Sequence, residues 1–220
     1  MKKMKWIKWM ISAGLLIAFG LWTLAVCTMD VQPIGPRGTA VGLAEMNQWA
    51  HELTGVHLSF YVLTDWMGLI PVAVGAGFGV LGLCQWIGRK SIRKVDADIL
   101  LLGGFYLALL AAYLLFEKWV VNYRPVLLDG HLEASYPSST TLLTLFVMGT
   151  AVMQCNARIG HTMLKRCLTL GIAALTAFIV LGRLYSGVHW LSDIIGGMLL
   201  SAAMVSLYGA FLPDRNGDKG

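Results

Sequence analysis

Six long apolar runs, separated by short polar links, organise the chain. They cover approximately residues 9–29, 59–87, 98–121, 137–154, 167–184 and 189–212, each about the length a helix needs to cross a ~30 Å hydrocarbon core. The first link, Asp30 to Arg37, contains Pro33, Gly35 and Pro36 and cannot continue a helix. After it the pattern changes. Val41, Leu43, Ala44, Met46, Trp49, Ala50 and Leu53 recur at helical spacing, with Glu45, Gln48 and Glu52 around the rest of the turn. This predicts an amphipathic helix over approximately 40–54, apolar face down on the membrane surface. The expected fold class is all-α, an integral membrane bundle of six transmembrane helices plus one outer amphipathic surface helix, in a single membrane domain over 1–220.

Composition agrees. Apolar residues make up 57% of the chain and charged residues only 13%, with mean hydropathy +0.67, whereas a soluble domain carries ~25% charged residues. The formal charge of +5 would suggest acidic partners if it were clustered, but the basic residues fall into short runs between apolar stretches. That pattern encodes topology, not nucleic-acid binding. Six spans place both ends of the chain on one side, and 13 of the 17 Lys and Arg lie there, in the N-terminal segment, the Arg89 to Lys94 loop, the loop with Arg158, Lys165 and Arg166, and the tail. The positive-inside rule therefore puts both termini in the cytoplasm. Arg37, Lys118, Arg124 and Arg183 remain on the other side, so chemistry built on them faces outward. The basic start and the Leu24 to Cys27 stretch resemble a lipoprotein signal, but Val26 stands where a small residue is needed, which favours an uncleaved first helix. Cys27, Cys84, Cys155 and Cys167 lack metal-ligand spacing and read as small hydrophobes.

Candidate chemistry concentrates between Gly182 and Asp193. His189 and Asp193 are four apart, so on a helix they share a face about one turn from each other, close enough for a carboxylate to hold an imidazole. Arg183 precedes His189 by six residues across the Ser186-Gly187 step, which lets a fixed cation share the pocket while the chain turns between helices. A carboxylate-oriented imidazole beside a guanidinium suits a nucleophile that attacks phosphorus while the Arg holds the phosphoryl oxygens. The competing reading is a helix-capping His beside an incidental Arg. Against it, ionisable residues next to membrane spans are costly and are functional candidates by default. Asp65, near the outer end of the second span, is either such a functional acid or a hydrogen-bonded partner to a neighbouring helix, and His51 and His57 read as surface residues.

Two further polar segments, Lys118 to Pro125 and Tyr136 to Thr141, lie at the outer ends of the third and fourth spans. Together with the Arg183 to Asp193 stretch they resemble the type 2 phosphatidic acid phosphatase family of membrane lipid phosphatases, related in fold to vanadium haloperoxidases. That family carries Lys-x6-Arg-Pro, then Pro-Ser-Gly-His, then Ser-Arg-x5-His-x3-Asp. The resemblance covers approximately residues 60–210, the catalytic-type core. It implies that His189 is the nucleophile that forms a phosphohistidine, that Asp193 orients it and that Arg183 binds phosphate. Lys118, Arg124, Ser138, Ser139 and Thr140 complete the implied phosphate site, with Ser138 at the start of a helix whose free N–H groups and dipole suit an anion. No metal or cofactor is implied, because cations and a helix N-terminus can neutralise a phosphate.

The departures carry information. Gly182 replaces the family's Ser and Ser139 its Gly, while Thr140 stands where the family has the His that protonates the leaving group. Only five residues separate Lys118 from Arg124, so Glu117 has the family's spacing. At ~100° per residue Lys118 is rotated off the face where the family Lys would sit, unless its long stem or a one-residue bulge restores the reach. Threonine cannot act as a general acid near neutral pH. A lipid alkoxide needs that proton and the phosphate leaving from a diphosphate does not. The expected function is therefore hydrolysis of a lipid phosphate or, preferentially, a lipid diphosphate such as a polyprenyl (undecaprenyl) diphosphate of the cell envelope, at the outer membrane face. His131 is the candidate substitute acid. The alternative is a catalytically impaired member that binds or transports a lipid phosphate head group, and a vanadate-dependent oxidase is a remote third. The expected partners are the lipid substrate and the bilayer, with no nucleic acid and the oligomeric state open.

Overall fold

The computed structural model describes residues 2–212; Arg215 and Lys219, the tail cations counted above, lie outside them. Among the described residues the helices are α1 (Lys2–Thr28), α2 (Ala44–Thr54), α3 (Leu58–Met67), α4 (Leu69–Arg89), α5 (Ala97–Lys118), α6 (Ser139–Arg158), α7 (Thr162–Tyr185) and α8 (Leu191–Phe211). No strand forms among them, only isolated bridges such as Tyr123 with Ala134. Among the described residues six helical stretches are long and apolar enough to cross a membrane: α1, α3 with α4, α5, α6, α7 and α8. The chain is an all-α, multi-pass membrane protein.

The second apolar run is not one uninterrupted helix. Pro71 has no N–H to return to the Met67 carbonyl and its ring crowds that oxygen, so the ladder breaks between α3 and α4 at Gly68. The inner pair of the bundle is α6 and α8, in which 50% and 56% of the spanning window is buried, against 28% or less in the other spans. Leu109, Leu142, Phe146, Val147, Leu200 and Met204 form the core between α5, α6 and α8. Large side chains such as Leu107, Leu170 and Leu181 point away from it, as a lipid-solvated surface requires.

Contacts between α1 and α8, with Lys8 Nζ donating to the Gly209 carbonyl at 3.3 Å, place both ends of the described chain at one end of the bundle. There Arg158 forks onto Asp98, Nη1 to Oδ2 at 2.8 Å and Nη2 to Oδ1 at 3.1 Å. It also approaches Asp96 at 3.4 Å, which Arg89 holds at 2.8 Å. Tyr208 Oη donates to the Asp98 carbonyl at 3.1 Å. This network clasps α4, α5, α6 and α8.

The opposite end is covered by α2, but not as the apolar stripe predicted. The buried face of α2 is Ala44, Asn47 and Ala50, while Trp49 and Leu53 are 62% and 72% exposed. The reason is polar. Asn47 Nδ2 donates to the Gly42 carbonyl at 2.8 Å and to Ser192 Oγ at 2.9 Å, and its Oδ1 accepts the Ser192 N–H at 3.0 Å. The small alanines on either side let α2 sit down on the start of α8. The α2–α3 link is fastened to the α7–α8 link as well: the His57 N–H donates to the Ser186 carbonyl at 3.0 Å. Gly187, at φ +66°, passes so close to Gly55 that a Cβ would lie 1.9 Å from the Gly55 oxygen, so only glycine fits.

Candidate active site

His189 belongs to the α7–α8 link and precedes the α8 N-cap, Trp190. It therefore does not share a helical face with Asp193, as the four-residue spacing suggests. Asp193 sits in the first turn of α8, and its Oδ2 accepts the Trp190 N–H at 2.9 Å. That capping bond brings the carboxylate beneath the ring, with Oδ2 3.6 Å from His189 Nδ1, just beyond hydrogen-bond range. Asn122 Nδ2 donates to Asp193 Oδ1 and to Ser192 Oγ, both at 3.3 Å.

The other ring nitrogen is held between two cations. Arg124 Nη1 and Arg183 Nη2 each lie 3.2 Å from His189 Nε2. A guanidinium only donates, so Nε2 is the acceptor and Nδ1 carries the proton. Burial foremost, then Arg124 and Arg183, holds the imidazole well below its ordinary range, opposed by the backbone carbonyl of Ser135. The result is a neutral histidine whose Nε2 lone pair is directed between two positive charges.

Arg183 is 1% exposed. The Tyr61 ring faces its guanidinium at 4.7 Å, and Asp65 Oδ1 lies 3.5 Å from Nη1. Gly182 precedes it where the family pattern has Ser; a Cβ there would meet the buried Thr64 methyl at 2.6 Å. Arg124 is held through Nε by Glu133 Oε2 at 3.0 Å.

Ser138 completes the grouping. Its N–H donates to the Asp193 carbonyl at 3.0 Å, while its buried Oγ has no partner among the described residues. No side chain caps α6, so the N–H groups of its first turn remain available to an anion. Ser139 lies between two cavities. A narrow one is shared with His189, Ser135 and Glu117. A larger one of about 500 Å³ has α6 as its floor and α4 and α5 as its walls, and is lined at the top by Asp65, Tyr113, Ser139 and Thr140. Thr140 faces α4, its methyl 3.4 Å from where a Gly68 Cβ would stand.

The structure thus brings together Arg124, Ser138, Arg183, His189 and Asp193, with Ser139 and Thr140 alongside. Lys118 is exposed and lines neither cavity, whereas Glu117 lines the narrow one. His131 is exposed at the tip of a short hairpin bridged to Leu128, and it too lines neither. Asn47, Asn122 and Tyr61 escaped the sequence reading as positioning residues. For Asn122 a signal existed, an amide inside the segment between Lys118 and Arg124; for Tyr61 it was the spacing of one turn from Asp65.

A family model described as the PAP2 superfamily matches residues 73–216. The chain belongs to the PAP2 superfamily. No curated protein matches it. Among solved structures it is similar to the first transmembrane PAP2 type phosphatidylglycerolphosphate phosphatase from Bacillus subtilis, with 14% identity, a TM-score of 0.67, and 91% of this chain and 95% of that chain covered. At that identity the likeness concerns the fold, which is that of PAP2 membrane lipid phosphatases. The family match begins within α4, so Tyr61 and Asp65 stand outside it.

Proposed function

We propose that this PAP2 protein hydrolyses a lipid diphosphate, such as a polyprenyl diphosphate, through a phosphoryl group carried on His189. The observation that carries the reading is the neutral Nε2 held at 3.2 Å from both Arg124 and Arg183, beside the unpartnered Ser138 Oγ. The terminal phosphoryl group rests on the two guanidinium groups, Ser138 Oγ and the first N–H groups of α6. Nε2 attacks phosphorus, the bond to the bridging oxygen breaks, and the lipid monophosphate leaves with the electron pair. The Nδ1–H then carries positive charge, which the Asp193 carboxylate stabilises. Thr140 offers no proton, so the leaving group must itself be a stable anion. The lipid chain lies in the larger cavity, whose α6 lining from Ser139 to Val147 descends through about 12 Å at 1.5 Å per residue.

The charge asymmetry supports cytoplasmic termini and a site facing outward. A cysteine placed beside His131 reacts with an impermeant thiol reagent in intact cells and one in the Arg89 to Lys94 loop does not; the opposite pattern overturns this orientation. For the activity, the purified protein in detergent is assayed against a polyprenyl diphosphate and phosphatidic acid. Faster release from the diphosphate, lost in His189→Ala, is expected. Head-group binding without turnover of either lipid favours the non-catalytic reading.

A further inference from the structure

The discharge of a phosphoryl group from His189 needs a group that takes the proton from the attacking water. Around Nε2 the guanidinium groups cannot accept one, and hydroxyls such as Ser138 and Thr140 are too weakly basic. Three carboxylates remain near the arginines and the cavities. Glu133 is held by Arg124 Nε at 3.0 Å. Glu117 lines the narrow cavity together with His189 but forms no ion pair with either arginine among the described residues. Asp65 is placed differently.

Tyr61 and Asp65 share one face of α3, and Gly68, its C-cap, continues that line at helical spacing. At one end of this face the Tyr61 ring lies 4.7 Å from the Arg183 guanidinium and 5.8 Å from that of Arg124. At the other end a Cβ at Gly68 would stand 3.4 Å from the Thr140 methyl. Asp65 stands between, Oδ1 3.5 Å from Arg183 Nη1, with its side chain 59% exposed and lining the larger cavity beside Ser139 and Thr140. Arg183 bridges the two groups, with Nη1 toward Asp65 at 3.5 Å and Nη2 toward His189 Nε2 at 3.2 Å. A phosphoryl group on Nε2 held by this guanidinium would thus have the Asp65 carboxylate at the other terminal nitrogen of the same group.

We infer that Asp65 is the proton acceptor for the water that discharges His189, an inference that rests on the phosphohistidine reading above. The water oxygen bonds to phosphorus as the P–Nε2 bond breaks, and that electron pair returns to the ring. The water proton passes to a carboxylate oxygen of Asp65, which later releases it to solvent, and inorganic phosphate departs. Asp65 takes no part in the first half-reaction.

The test is rapid-quench trapping with the full-length protein in detergent and farnesyl diphosphate labelled in its terminal phosphate. Wild type turns over with little labelled protein. In Asp65→Asn, which keeps an oxygen facing Arg183, one equivalent of farnesyl monophosphate forms in a burst, labelled protein accumulates, and steady turnover falls about 10²-fold or more. Should that variant not fold, Asp65→Glu carries the comparison, because it keeps the charge and alters only the reach: labelled protein again builds up, to a smaller extent. The inference is overturned if an Asp65 variant slows burst and turnover equally without labelled protein, since Asp65 then merely positions Arg183. It is also overturned if Glu117→Gln accumulates the adduct and Asp65→Asn does not. Failure of the underlying reading shows separately, as turnover that survives in His189→Gln with no labelled wild-type protein.

Discussion

Asn122 is the residue through which the start of α8 is held to the segment that carries Arg124, and replacing it with Ala tests that description. Its side chain is 1% exposed and makes three contacts: 3.3 Å to Asp193 Oδ1, 3.3 Å to Ser192 Oγ, and 3.4 Å from the Gly42 N–H to its Oδ1. All three are long, so each counts at the low end of its class. The bond to the carboxylate contributes about 1.5 kcal/mol and the two neutral ones about 0.5 kcal/mol each. Truncation should therefore destabilise by about 2–3 kcal/mol, which for a chain of this length lowers Tm by roughly 4–12 °C. Catalysis should suffer as well, because the buried Asp193 carboxylate loses a donor and the His189 ring loses a fixed neighbour: kcat falls by about 10-fold or more while KM holds. Thermal unfolding in detergent, followed by steady-state hydrolysis at a temperature where both proteins are folded, measures the two effects. An Asn122→Ala protein that melts within about 1 °C of wild type would refute the reasoning, since three buried polar groups cannot lose their partner without cost.

Three more outcomes are expected. Thr140→His should raise phosphomonoester hydrolysis more than diphosphate hydrolysis, by up to about 10²-fold, because only an alkoxide leaving group lacks a route to a proton; equal gains on both substrates would contradict the leaving-group argument. The depressed His189 value means that the unfolded chain binds a proton near pH 6.5 that the folded chain refuses, so this group's contribution to stability falls as pH drops from about 6.5 toward the folded value. Over the same window the nucleophile stays neutral, so the acid limb of the pH–rate profile lies below pH 6.5, and Arg124→Gln, which removes one of the two cations, should move it upward. At the far end of the bundle, Arg158→Ala removes the fork on Asp98, whose side chain is 7% exposed against 25% for Arg158. Discounted for that exposure, the loss is about 2 kcal/mol, read as a lower Tm with turnover per folded protein retained.

What was legible in the chain divides along physical lines. Apolar runs of spanning length announce membrane helices because the bilayer leaves the backbone no other solution, and the polar segments between them are conspicuous for the same reason. The break at Gly68 was written in Pro71 but masked by the unbroken apolarity around it. Where the reading of α2 erred, it followed the stripe of large side chains, and the contact was decided by one amide, that of Asn47, aimed at a partner 145 positions away. The His189 and Asp193 pair was legible as a spacing but not as a geometry. Two residues of difference in where α8 starts turned a shared helical face into a capping bond. Tyr61 and Asn122 owe their roles to contacts across the bundle, which spacing along the chain does not record.

The fastening of the α2–α3 link onto the α7–α8 link has a further consequence. Asn47 grips Ser192, His57 grips Ser186, and Gly187 is wedged against Gly55, so α2 is bolted across the top of the site at three points along its length and beyond. A hinged cover would need at least one of these bolts to slide, and each is buried or sterically locked. With the top fixed, the larger cavity between α4 and α5 offers a lateral approach, and its α6 floor meets the narrow cavity of His189 at Ser139 and Leu142. On the proposed function, a molecule arriving by that road would already have dissolved its tail in the bilayer, so selection by solvent would precede any contact with the site.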